Sequence, residues 1–321
     1  VSQMLDILAI TSPIFMIIAI GYFAVYRNIV PQNIVRGMGA FVMNFALPCL
    51  LIRALGQRDL TEIIEPVYLL AYGIGSLLVF AFGYFYALKV AGKSQANATL
   101  QGLGMSMCNS GFVGYPVVSQ ILGPTAAIGL ALCVMIENLV MMPLVLVLGD
   151  SAQNNGQSRV QVLGKAFVNL GRNPIIIGIA IGLVISLSGV TLPGPIVRVI
   201  DMLASASGPV ALFVIGGGLV GLKLKGLRVD MARIVSAKLL LHPILVFVLV
   251  YLLPDMDPTL RIACVAFACS PMLSIYPIFG QRYGHEGLCA ASLMMATSLS
   301  FITISTALWL LDTTHVFGPL P

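Results

Sequence analysis

Glu137 lies in Ala131-Leu-Cys-Val-Met-Ile-Glu-Asn-Leu-Val-Met-Met142, far from any polar stretch. An ionised carboxylate at the centre of a bilayer costs about 2.5–3.5 kcal/mol on insertion scales, so an acid in such a place is by default functional. Lys238 and His242, one helical turn apart in Lys238-Leu-Leu-Leu-His242, share a helix face and are its candidate partners. A carboxyl that changes neighbours between two states changes its proton affinity. Glu137, Lys238 and His242 are therefore the candidates for proton coupling. A plainer reading lets Lys238, five residues past Arg233, extend its amine to the inner face of the membrane.

A second constellation carries no charge. The run Asn109-Ser110-Gly111-Phe112-Val113-Gly114-Tyr115-Pro116 has a counterpart in Ser270-Pro271-Met272-Leu273-Ser274-Ile275-Tyr276-Pro277. Proline inside a helix removes a hydrogen bond and clashes with the preceding turn. Two glycines beside it, or a second proline, predict an unwound segment in both runs. A half-helix restarting at such a break turns free N–H groups and a partial positive charge inward. Two breaks facing each other would make an anion site built largely of backbone. Asn44 stands four residues before Pro48, and Ser205 four before Pro209. Both are candidates to line the same pathway or to tie helices together.

Helices in a membrane must position these residues. Hydrophobic residues make up 59% of the 321 and charged residues only 9%, against about 25% charged in soluble domains. Mean hydropathy is +1.00. About 20 apolar residues span a bilayer as a helix, and ten such stretches can be counted: about 4–26, 36–56, 66–90, 97–121, 124–148, 174–190, 195–221, 231–253, 258–281 and 286–310. The first reads as a membrane helix rather than a cleaved leader. The polar interval at about 150–172 reads as a central loop. No basic patch interleaved with aromatics suggests nucleic acid. The six cysteines all fall in apolar runs, with no CxxC pair and no His cluster, and read as small buried side chains.

Basic loops stay in the cytoplasm. With the N-terminus outside, 13 of the 17 Lys and Arg fall on inner loops, and only Arg53, Arg58, Arg198 and Arg261 on the outer side. Both termini are therefore expected on the periplasmic or extracellular side of the inner (plasma) membrane. A shift of 161 residues superimposes Pro13 on Pro174, Gly21 on Gly182, Pro48 on Pro209, Gly56 on Gly217, Tyr115-Pro116 on Tyr276-Pro277, and Gly123 on Gly284. Coincident prolines and glycines mean coincident kinks and close contacts. The expected fold is thus an all-α membrane protein of ten transmembrane helices. It comprises two inverted five-helix repeats, 1–149 and 174–321, joined by a cytoplasmic linker at 150–173. Inverted repeats with substrate near the midplane are a transporter architecture.

Three runs, Asn109 to Pro116, Asn44-Phe-Ala-Leu-Pro-Cys-Leu-Leu51, and Ser270-Pro to Pro277, resemble the auxin efflux carrier family through all ten spans. That family includes plant PIN-type auxin exporters and bacterial carriers of malate, malonate and related carboxylates. The resemblance implies a scaffold of spans 1, 2, 6 and 7. It also implies a mobile transport domain of spans 3–5 and 8–10 with broken crossing helices 4 and 9, a plan shared with bile acid symporters. Asn109 matches the crossover asparagine that contacts the substrate carboxylate in the plant exporters. The Ser270-Pro271 pair departs from the glycine-rich plant version, which points away from auxin itself.

The expected function is alternating-access transport of small organic anions, mono- or dicarboxylates. The substrate-binding candidates are Asn44, Asn109, Ser110, Gly111, Gly114, Tyr115, Pro116, Ser270, Pro271, Ser274, Tyr276 and Pro277. No metal or organic cofactor is expected, and the coupling ion is H+ or, in the bile acid carrier type, Na+. Expected partners are the anion, the lipid bilayer and a second copy in a homodimer. No metal-ligand or nucleophile–base spacing points to an enzyme. The rival from another class is a non-transporting membrane sensor on the same fold.

Overall fold

The computed structural model describes residues 2–58, 63–152, 159–221 and 228–318; Gln153, Lys223 and Lys225, placed above on inner loops, lie outside the described residues. The chain is helical, with no strand among the described residues beyond one isolated bridge, Val316–Gly318. In order the helices are α1 Ser2–Tyr26, α2 Gln32–Leu55, α3 Pro66–Val90, α4 Gln95–Ser106, α5 Tyr115–Leu122, α6 126–151, α7 Arg159–Gly171, α8 Pro174–Ser188, α9 Gly194–Gly218, α10 Val229–Leu252, α11 Pro258–Ala268, α12 Tyr276–Arg282 and α13 Glu286–Thr314. Among the described residues six continuous stretches are long and apolar enough to cross a membrane, and the bent pair α7–α8 would add a seventh. One of the six, Gln95–Ser151, has 57 residues, about 85 Å if straight at 1.5 Å per residue. It is interrupted at 107–109 and again at Gly123, so it holds α4, α5 and α6.

The prolines leave a regular mark. Five-residue π turns occur at Val42–Ala46, Ser110–Gly114, Glu137–Met141 and Ala237–Leu241. In each, the central residue stands four before a proline: Pro48, Pro116, Pro143 and Pro243. Position i−4 is where the proline ring collides with the carbonyl and where its missing N–H leaves a bond unmade. Widening that turn relieves both, and single-turn π-bulges favour functional sites. Glu137 opens one such turn and Lys238 sits in another.

Two glycines 161 apart also share a strained backbone. Gly123, after α5, has φ +55° and Gly284, after α12, has φ +78°, a region that favours glycine. Each ends the second half of an interrupted helix. Packing recurs at the same spacing. α1 lies on the second half of α9, and α8 lies on the second half of α2. A Cβ on Gly21 would stand 2.2 Å from the Phe213 carbonyl oxygen, and one on Gly182 would stand 3.3 Å from the Ile52 Cα. Phe213 and Ile52 are themselves 161 residues apart.

The interval expected as a central loop contains α7, a 13-residue helix. Its Val162 is buried, while Leu163, Phe167 and Val168 are exposed. The segment is polar on average but spaced for a helix with one packed face, which average polarity alone conceals.

Candidate functional site

Both expected breaks are present. α4 ends at Ser106, residues 107–109 are non-helical, and the chain restarts through the π turn into α5. α11 ends at Ala268, and α12 begins at Tyr276. The breaks touch each other. The Asn109 backbone N–H donates to the Pro271 carbonyl at 2.8 Å, and its side-chain amide reaches the Ser274 hydroxyl at 3.5 Å. Asn109 is buried, and so is Ser270, whose hydroxyl has no hydrogen-bond partner. A Cβ on Gly114 would stand 3.0 Å from that hydroxyl, and one on Gly111 would stand 2.9 Å from Leu47 of α2. Those glycines let the two crossings approach each other and α2.

The charged residues meet one layer away. The Glu137 carboxylate accepts hydrogen bonds from Ser110 at 2.5 Å and Tyr72 at 2.9 Å. Lys238 does not reach for the membrane edge. It is wholly buried, and its ammonium donates to the Cys108 sulfur at 2.8 Å, His242 Nδ1 at 2.8 Å and the Ala268 carbonyl at 3.3 Å. An ammonium has three N–H groups and no acceptor, so its donors are all used. His242 Nδ1 must then accept, which leaves Nε2 to carry the proton and donate to Ser76 at 3.0 Å. Glu137 and Lys238 form no direct ion pair; Tyr72 and Cys108, themselves hydrogen-bonded, lie between them. The direct Glu137–Lys238 and Glu137–His242 partnership expected from the sequence is thus replaced by a polar string. It crosses α3, the 107–110 break, α6, α10 and the end of α11.

Tyr72, Ser76 and Cys108 were not singled out by the sequence. A signal existed: Tyr68, Tyr72 and Ser76 repeat every four residues in an otherwise apolar helix, one polar stripe on one face. Cys108 had none, since a thiol in an apolar run looks like packing.

The other candidates scatter. Asn44 is exposed, and its amide bonds back to the Ala40 carbonyl at 2.7 Å. Ser205 likewise bonds back, to Asp201 O at 2.7 Å. Tyr276 is buried and donates to the Leu100 carbonyl at 2.8 Å. Its ring fills the space beside Gly104, where a Cβ would meet the Tyr276 hydroxyl at 2.5 Å. The residue 161 beyond Gly104 is Val265. Tyr115, the repeat partner of Tyr276, instead lines a cavity of about 310 Å³ with Pro116, Gln120 and Arg53. A second cavity, of about 570 Å³, is lined by Ser274, Pro277, Gln281 and Arg36. Pro116 and Gln120 correspond to Pro277 and Gln281, so each crossing helix carries one cavity along its second half.

Ion pairs staple the ends of these helices. Asp230 holds Lys93 at 2.7 Å, and Asp150 accepts from Arg282 at 2.8 Å and Tyr283 at 2.9 Å. Burial, then the bond to Asp150, raises the Tyr283 hydroxyl well above the ordinary tyrosine range. It stays a donor throughout the physiological range.

A family model described as membrane transport protein matches residues 7–310. The chain belongs to that family, the auxin efflux carriers. This auxin efflux carrier homologue is 27% identical to a Rhizobium meliloti protein whose name proposes malonate transport, over 99% of this chain and 98% of that one. An Escherichia coli protein named as an uncharacterized transporter is 22% identical over 93% and 95%. A mouse lysosomal cholesterol signaling protein is 24% identical over 92% of this chain, which spans only 36% of the mouse protein. Family and names indicate a multi-pass membrane transporter rather than an enzyme.

Proposed function

We propose that this family member is an alternating-access carrier of small organic anions, malonate-like carboxylates foremost, with Asn109 at the centre of its site. The contact of two broken helices at Asn109 carries the proposal: peptide N–H groups freed at a break offer an anion donors without a fixed charge. The two cavities, about 310 and 570 Å³, fall within or close to the usual range for small-ligand sites. The Rhizobium relative's name supplies the substrate class.

The reading has ten spans, α4 with α5 and α11 with α12 each forming one, in two inverted repeats. The 161-residue correspondence of kinks, glycine contacts and cavities supports it. Spans 1, 2, 6 and 7 form a scaffold against which the rest moves. Side-chain hydrogen bonds that cross between these groups include Thr11–Ser305 at 3.0 Å and Asn173–Asn138 at 3.0 Å. A neutral pair contributes about 0.5–1.5 kcal/mol, a small obstacle to sliding.

Radiolabelled malonate uptake into proteoliposomes, competed by a panel of mono- and dicarboxylates, tests the function. No saturable uptake of any panel member would sink it. Asn109→Ala is expected to weaken malonate binding about ten- to a hundredfold, the worth of a hydrogen bond to a charged group, without loss of folded protein. Unchanged affinity in the purified variant would return Asn109 to a structural role. For orientation, Asn33→Cys and Asp255→Cys should react with an impermeant thiol reagent from opposite faces, Asn33→Cys from the cytoplasm. Labelling of both from one face contradicts the proposed topology.

A further inference from the structure

Arg53 is the one residue that lines both the Tyr115 cavity and a separate chamber of about 420 Å³. That chamber is mixed in character, with Gln57, Arg58, Ser186, Thr191 and Asp201 among its lining. It lies apart from the crossing helices, between the ends of α2, α8 and α9. Two of the four basic residues counted on this end of the molecule, Arg53 and Arg58, are in its wall. The Arg53 guanidinium stands 3.7 Å from Asp201, and the two side chains are 33% and 46% exposed. It also reaches the Tyr115 hydroxyl at the start of α5. An ion pair this long and this wet is held weakly, so another carboxylate can displace Asp201. Arginine presents a planar fork that suits a carboxylate.

We infer that Arg53 is an anion-capture residue: it takes the substrate carboxylate in the Arg58 chamber, in exchange for Asp201, and passes it to the Tyr115 cavity leading to Asn109. This rests on the carrier reading above. The ligand class is a small mono- or dicarboxylate. The second arginine, Arg58, favours the dicarboxylate, because one carboxylate can stay in the chamber while the other moves with Arg53. Asp201 acts as a built-in competitor that keeps the empty site closed on itself. Its carboxylate returns to Arg53 once the anion has gone.

Malonate uptake is measured in intact cells and in inverted membrane vesicles, which present opposite faces. Arg53→Gln is expected to raise the malonate KM about tenfold or more in one preparation only, with kcat little changed. Asp201→Asn should lower KM in that same preparation, and added salt should raise it less in Arg53→Gln than in the unaltered protein. Arg53→Lys should keep part of the affinity, which guards against a folding defect in Arg53→Gln. An unchanged KM on both faces, or an equal rise on both, overturns the capture role and leaves the carrier intact. No saturable anion uptake by the unaltered protein, by contrast, removes the carrier reading and this inference with it.

Discussion

Glu137→Gln protein is expected to fold and to bind malonate, yet to lose all acceleration of uptake by an imposed proton gradient. The fold should survive because glutamine keeps an oxygen where Glu137 Oε1 accepts from Tyr72 and Ser110. Both hydroxyls therefore retain an acceptor, and the cost of an orphaned buried donor, about 1–3 kcal/mol, is avoided. What glutamine cannot do is gain and lose a proton. Glu137 shares Ser110 with the break that carries Asn109, so movement of the break changes the neighbours of the acid, and with them its proton affinity. The repeat relation strengthens the case. Ser298 lies 161 residues beyond Glu137, and Leu77 and Ala81 stand at the positions matching Lys238 and His242. Backbone features are duplicated and these charges are not, so the symmetric core does not require them. The measurement is thermal stability and gradient-driven uptake on one preparation. Destabilised protein whose survivors still respond to the gradient would make Glu137 a static structural acid.

Lys238→Met should have the larger effect on stability. Three acceptors, Cys108 Sγ, His242 Nδ1 and the Ala268 carbonyl, would lose their donor together, in a site closed to water. Removing one partner from a buried charged network costs about 3–5 kcal/mol. The melting temperature in detergent should fall by on the order of 10 °C, at a few degrees per kcal/mol. The Glu137→Gln/Lys238→Met double variant should be more stable than the two separate losses imply, because it leaves no unbalanced buried charge. A melting temperature unchanged in Lys238→Met would mean that the ammonium is not held where it stands here.

The breaks at 107–109 and 269–275 were legible in the sequence because their cause is local. A proline collides with its own preceding turn whatever surrounds it, and the π turns before Pro48, Pro116, Pro143 and Pro243 follow from the same collision. The membrane class was legible for a similar reason: an apolar fraction of 59% is a statement about solvent, and it needs no contacts. The periodicity of α7 was also present, but an average over the segment hid it.

The partners of the charges were not legible. That Glu137 takes Tyr72 and Ser110, and that Lys238 takes Cys108 rather than the membrane edge, depends on five helices meeting in one layer. Nothing within a turn of either residue fixes that. Asn44 and Asn109 show the same division. Both precede a proline in an apolar helix, yet Asn44 bonds to its own backbone on an exposed face while Asn109 meets Pro271 and Ser274 across the molecule. Local sterics set where a helix breaks and which solvent it needs. Which side chain faces which is decided only when distant helices pack, because a buried donor must find whatever acceptor that packing brings within about 3 Å.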